Sequence, residues 1–130
     1  LECRRVLFRS VMEPAQIRAA RAVVDEIHVD DSIKDYIVSL VVASRDPGAF
    51  RVPVKDLVQY GASPRAGIFL ARASQAYAFI HGRDYVVPED VKAIAPDVLR
   101  HRLVTTYEAE AQAVTAEAIV TRLLEGVGIP

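Results

Sequence analysis

The run with the most chemical content in this 130-residue chain is Gly61-Ala62-Ser63-Pro64-Arg65-Ala66. Ser63 followed by Pro64 predicts a helix start: serine favours the N-cap, and proline suits the first helical position, where its missing N–H is not needed. Arg65 then stands at the second helical position, where the helix dipole and the free backbone N–H groups already present positive charge. A cation there costs a few tenths to about 1 kcal/mol relative to a neutral or acidic residue. An anion would reverse that penalty, with the helix N-terminus and a guanidinium converging on a phosphate or carboxylate. An exposed arginine, or one paired with a carboxylate from another helix, fits the same residues. Charge placement alone leaves these readings open.

Other candidate chemistry is weaker. His28, His81 and His101 share no short ligand spacing with each other or with Cys3, so no metal site is expected. No glycine pattern reads G-x-x-x-x-G-K-[ST], so the chain carries no phosphate loop and is not expected to hydrolyse ATP by itself. Asp30 and Asp31 are adjacent at a helix start and point in different directions; capping and dipole charge account for both. The basic cluster Arg100-His101-Arg102, and Arg45, fall near helix C-termini, where cations complement the dipole.

The elements that position these residues follow from apolar spacing. Ile17, Ala20, Val24 and Ile27 predict a first helix over 14–27, opened by Pro14. Asp30-Asp31 opens a second helix with Ile33, Ile37, Leu40, Val41 and Ser44 on one face, stopping before Asp46-Pro47-Gly48. A third helix starts at Pro64 and ends near Gly82, with Ala66, Phe69, Leu70, Ala73, Ala76, Tyr77 and Ile80 forming a broad apolar face. Pro88-Glu89-Asp90 starts a fourth, bent or restarted at Pro96 and reaching about Arg102; Thr115 caps a fifth. Val52 and Val54 around Pro53 suggest an edge strand, with Leu103 to Tyr107 as its partner. Tyr36, Phe69, Tyr77 and Phe79 are expected in the core, and Tyr60, Tyr85 and Tyr107 at the ends of the bundle. The expected fold is mainly α: five helices with room for a short two-stranded β-ribbon.

Composition agrees with one globular domain: 52% of residues are hydrophobic and 25% charged. At this size about two-thirds of the unfolded surface is buried on folding. Sixteen basic and seventeen acidic residues leave a formal charge of −1, which removes the global electrostatic footprint of a nucleic-acid binder but permits a local basic patch. The single Cys3 excludes an internal disulfide framework and points to a reducing cytoplasm. The most apolar run, Tyr36 to Ser44, is too short to span a bilayer. Residues 1–10, LECRRVLFRS, begin without methionine and carry no periodicity that continues, so they are expected to be a vector-derived or artefactual leader to a domain over 11–130.

The runs GASPRA (61–66), GRDYV (82–86), PEDV (88–91) and LRHRL (99–103), with Val29-Asp30-Asp31 and Ser44-Arg45 before them, resemble the C-terminal lid of MoxR-type AAA+ ATPases. The likeness covers nearly everything after the leader. Val87 and Ser44 stand where that family usually has threonine, so a helix cap worth about 1 kcal/mol is lost at Val87. The resemblance implies a five-helix lid over ATP and Mg bound in a preceding P-loop domain, within a ring that is usually hexameric. It further implies that Arg65 is the sensor-two arginine approaching the γ-phosphate, with Ser63 and Ala66 beside it at the helix N-terminus. The implied partners are the lid's own or a neighbouring core domain and von Willebrand factor A domain clients, in a chaperone-like role. A stand-alone interaction bundle, or a DNA-binding domain with 63–80 as recognition helix, is the alternative; near-neutral charge and an alanine-rich apolar face count against the latter.

Overall fold

The computed structural model describes residues 10–130, so Cys3 and all of the expected leader except Ser10 lie outside the described residues. Among the described residues six α-helices occur in order: α1 (Pro14–Glu26), α2 (Asp31–Arg45), α3 (Pro64–Ile80), α4 (Pro88–Leu99), α5 (Tyr107–Ala111) and α6 (Ala116–Gly126). Strands β1 (Val58–Tyr60) and β2 (Val104–Thr105) form an antiparallel ribbon, pairing Val58 with Thr105 and Tyr60 with Val104. No helix among the described residues is long and apolar enough to cross a membrane.

Helix α3 is central, packing on α1, α2 and α4. Ala66, Leu70, Ser74 and Ala78 form its buried face, and the small residues among them allow close approach on more than one side. Ile33, Tyr36, Ile37, Leu40, Val41 and Ser44 bury the predicted face of α2, while α6 contributes Ile119, Val120 and Leu123. Helix α1 has the predicted period but no fully buried residue; Ile27, just past its end, is the first to enter the core. Its junction is held by hydrogen bonds to backbone groups: His28 N–H donates to the Asp84 carbonyl at 2.9 Å, Val86 N–H donates to the His28 carbonyl at 3.0 Å, and the Gln75 side-chain Nε2 donates to the Ile27 carbonyl at 2.8 Å.

Several expectations are corrected. The ribbon starts later than predicted: Val52 and Val54 are buried in a turn region, because Pro53 offers no ladder N–H and Arg51 adopts a left-handed φ of 55° that breaks extension. A sixth helix, α5, follows Thr106, whose Oγ1 accepts the Ala109 N–H at 3.2 Å. Helix α4 runs unbroken through Pro96 and ends at Leu99, so Arg100 to Arg102 form a separate 3-10 turn. Tyr36 is buried and Tyr77 half-buried as expected, but Phe69 and Phe79 reach solvent. Tyr60, Tyr85 and Tyr107 are likewise exposed rather than closing the bundle. The Tyr36 hydroxyl has no partner in its buried position, and that burial, with the nearby Glu89 charge, pushes its pKa above the usual phenol value.

Candidate functional site

Every helix from α2 onward opens with acid in its first turn except α3, and α1 has Glu13 at its N-cap. The odd helix start carries Arg65, whose side chain is exposed. Among the described residues no carboxylate lies within ion-pair distance of it. Ser63 is the N-cap residue as predicted, but its side chain accepts no cap bond. Ala66 is buried, and its N–H donates to the Ser63 carbonyl at 2.8 Å. Pro64 has no N–H. Of the three residues predicted at this point, Arg65 and the exposed Ser63 hydroxyl therefore present the outward-facing donors, and Ala66 is buried in the turn beneath them.

That turn is clamped to the end of α2. Ser44 Oγ donates to the Val41 carbonyl at 2.7 Å and accepts the Ala62 N–H at 2.9 Å, both in the buried interior. Arg45 Nη1 donates to the Ala62 carbonyl at 3.4 Å, so the last turn of α2 grips both backbone groups of Ala62. Gly61 packs directly on the backbone of Ser44 and Arg45, leaving no room for a side chain. Beside the clamp, Val38, Val41, Val42, Pro64 and Gly67 line an apolar groove of about 260 Å³ with Arg45 at its rim.

A second fixture lies at the other end of α3. Arg83 forms a two-pronged ion pair with Asp90, Nη1 to Oδ2 at 2.6 Å and Nη2 to Oδ1 at 2.5 Å, while Asp90 Oδ2 accepts the Val87 N–H at 2.9 Å. Asp90 thus supplies the capping that Val87 cannot. Burial favours a neutral Asp90 carboxyl, but hydrogen bonds from Arg83 and Val87 and the Arg83 charge outweigh it and hold the pKa below the ordinary carboxylate value.

The basic cluster at 100–102 divides by function. Arg100 pairs with Asp97 at 2.9 Å and approaches Glu117 at 3.9 Å, a surface role consistent with its helix-end position. Arg102 instead stacks over the Phe69 ring, its Cζ 4.7 Å from the centroid. His28, His81 and His101 are exposed, and no group of three metal-ligating side chains occurs among the described residues. Sequence reasoning missed the Ser44–Ala62 clamp, the Arg83–Asp90 pair and the Phe69–Arg102 stack. Their advance sign was that Ser44, Ala62, Arg83, Asp90 and Arg102 all stand in the family-like runs, whereas Phe69 does not.

Fold and site together define the class. Residues 53–123 match the AAA lid domain family, and the chain belongs to that family. Its relatives narrow the type: it is 36% identical to Chaperone MoxR1 of Mycobacterium tuberculosis over 99% of this chain, and 42% identical to protein MoxR of Methylorubrum extorquens over 65% of it. It spans 37% and 26% of those two proteins' lengths. A solved structure of a Cytophaga hutchinsonii protein assigned as an ATPase superimposes with a TM-score of 0.80 at 38% identity, covering 84% of this chain and 33% of that one. The chain is a lid of the MoxR-type AAA+ ATPases.

Proposed function

We propose that this lid covers ATP held by a preceding P-loop domain of a longer, ring-forming AAA+ ATPase, and that Arg65 senses the γ-phosphate. The observation that carries the reading is Arg65 itself: an exposed guanidinium, without a carboxylate partner among the described residues, at the one helix start that opens on a cation. These residues fit a phosphate. A guanidinium matches its oxygens in a charge-assisted contact, and the helix dipole adds to the attraction. The neighbouring groove offers an apolar surface against which the rest of a nucleotide could pack.

Bound ATP and Mg²⁺ would supply the scissile phosphoanhydride and its charge neutralisation, with the metal's ligands coming from the preceding domain. What this chain contributes is position. The Ser44–Ala62 clamp ties Arg65 to α2, so a gain or loss of contact at Arg65 moves the packed helices as a unit. Because the contact is present with the γ-phosphate and weaker without it, lid position follows nucleotide state. A homo-hexameric ring, a cytoplasmic setting and a chaperone-like action on partner complexes, including von Willebrand factor A domain proteins, belong to the same reading. MoxR1 itself is named a chaperone.

The test is Arg65→Ala in the full-length ATPase. One charge-assisted bond of about 1.5–3 kcal/mol corresponds to a fall in ATP turnover of about 10- to 150-fold. Turnover equal to wild type overturns the reading.

A further inference from the structure

Arg102 is the one cation of the 100–102 cluster that the helix-dipole explanation leaves unaccounted for. Its neighbour Arg100 has carboxylates on two sides. Arg102 has none within ion-pair distance among the described residues, and its Nε is buried without a hydrogen-bond acceptor. What holds it is the ring of Phe69, 4.7 Å from Cζ to the centroid. Phe69 is 48% exposed, so this ring is not there to fill the core. It stands four residues after Arg65 on α3, on the same helix face and about 6 Å further along the axis. Arg72, also exposed and without a carboxylate partner among the described residues, continues that face one turn on.

Arg65, Arg72 and Arg102 about one aromatic ring, in a chain whose net charge is −1, make a local cation surface with no carboxylate within ion-pair distance among the described residues. Cations one helical turn apart repel each other, and an anion bound between them would remove that repulsion. We propose that Arg102 is a second phosphate-binding arginine of the Arg65 site, held on the Phe69 ring so that it meets the polyphosphate of a nucleotide together with Arg65. The inference rests on the Arg65 reading but makes a separable claim. Phe69 acts as a positioning residue: it fixes the guanidinium plane with Nε buried, so the Nη groups are the donors that a phosphate oxygen would meet.

The experiment follows the arginine Nε–Hε NMR resonances of the 130-residue chain at low salt during titration with inorganic tripolyphosphate. Arg65 and Arg102 are expected to shift saturably with one midpoint, while Arg18 and Arg21 on α1 serve as controls that do not saturate. Phe69→Leu, a change at a half-exposed site, should weaken the midpoint about two- to fivefold, and Phe69→Tyr should restore it. Saturation at Arg65 with Arg102 silent overturns the second arginine and leaves the Arg65 reading intact. Saturation at Arg102 with Arg65 silent overturns the Arg65 reading and the shared site with it. Uniform, unsaturated shifts at all arginines, or an unchanged midpoint in Phe69→Leu, also overturn the proposal.

Discussion

Gly61→Ala is expected to destabilise the lid by about 3 kcal/mol and to shift the start of α3 away from α2. A Cβ on Gly61 would collide with the Ser44 carbonyl group and lie 2.7 Å from the Arg45 nitrogen. These atoms are the backbone of the last turn of α2, so no side-chain rotation relieves the overlap. Separation of the two segments would stretch the Ala62 N–H bond to Ser44 Oγ, a buried pair, and expose its partners unsatisfied. Gly48→Ala is the control, since its Cβ would meet only Asp46 Oδ1 at 3.5 Å. Thermal unfolding should show Gly61→Ala melting roughly 10 °C below wild type and Gly48→Ala close to it. Equal melting of the two variants would show that the clamp is not tight. Because Arg65 is four residues downstream on the same rigid turn, the variant is also expected to lose nucleotide response in the full-length ATPase.

The second large effect is Asp90→Asn, with an expected loss of about 2–3 kcal/mol at neutral pH. Asp90 is 1% exposed and accepts from Arg83 twice and from Val87 once. Asparagine keeps the shape but removes the charge and turns one acceptor into a donor facing a guanidinium. The pH dependence follows from the lowered folded-state pKa. In the unfolded chain the carboxyl titrates near its ordinary value of about 3.9. The folded state binds the proton only at lower pH, so the stabilisation is full above that value and is lost as pH falls through the folded pKa. The gap between wild type and Asp90→Asn in urea unfolding should therefore be constant from pH 7 to about 5 and narrow below pH 4. Asp30, also lowered by its Ser32 hydrogen bonds, is common to both proteins and drops out of the difference. A gap independent of pH down to 2 would contradict the ion-pair account.

What was legible in the sequence was local. Ser63-Pro64 and Pro88-Glu89 marked helix starts to the residue, because N-cap preference and fixed proline φ act within a few positions. The core face of α2 was readable from its 3.6-residue period. The oddity of Arg65 was also readable, since it needs only a charge and a helix end. Five residues of α5 are too few to show a period, and the ribbon register depends on where Thr106 reaches across to the Leu57 and Asp56 carbonyls. The clamp and the stack were hidden for a related reason. Ser44 and Ala62 are 18 residues apart, Phe69 and Arg102 lie on different elements, and neither pairing leaves a local signature. Phe69 was misplaced in the core because an aromatic at helical spacing looks the same whether it meets leucine or a guanidinium.

The most direct measurement of the central claim is the affinity of the full-length ATPase for a non-hydrolysable ATP analogue and for ADP, in wild type and in Arg65→Ala. If Arg65 reads the γ-phosphate, the substitution weakens analogue binding by about 10- to 150-fold and leaves ADP within about twofold, since only the analogue carries the group that the guanidinium contacts. Equal losses for both nucleotides, or none for either, would contradict it.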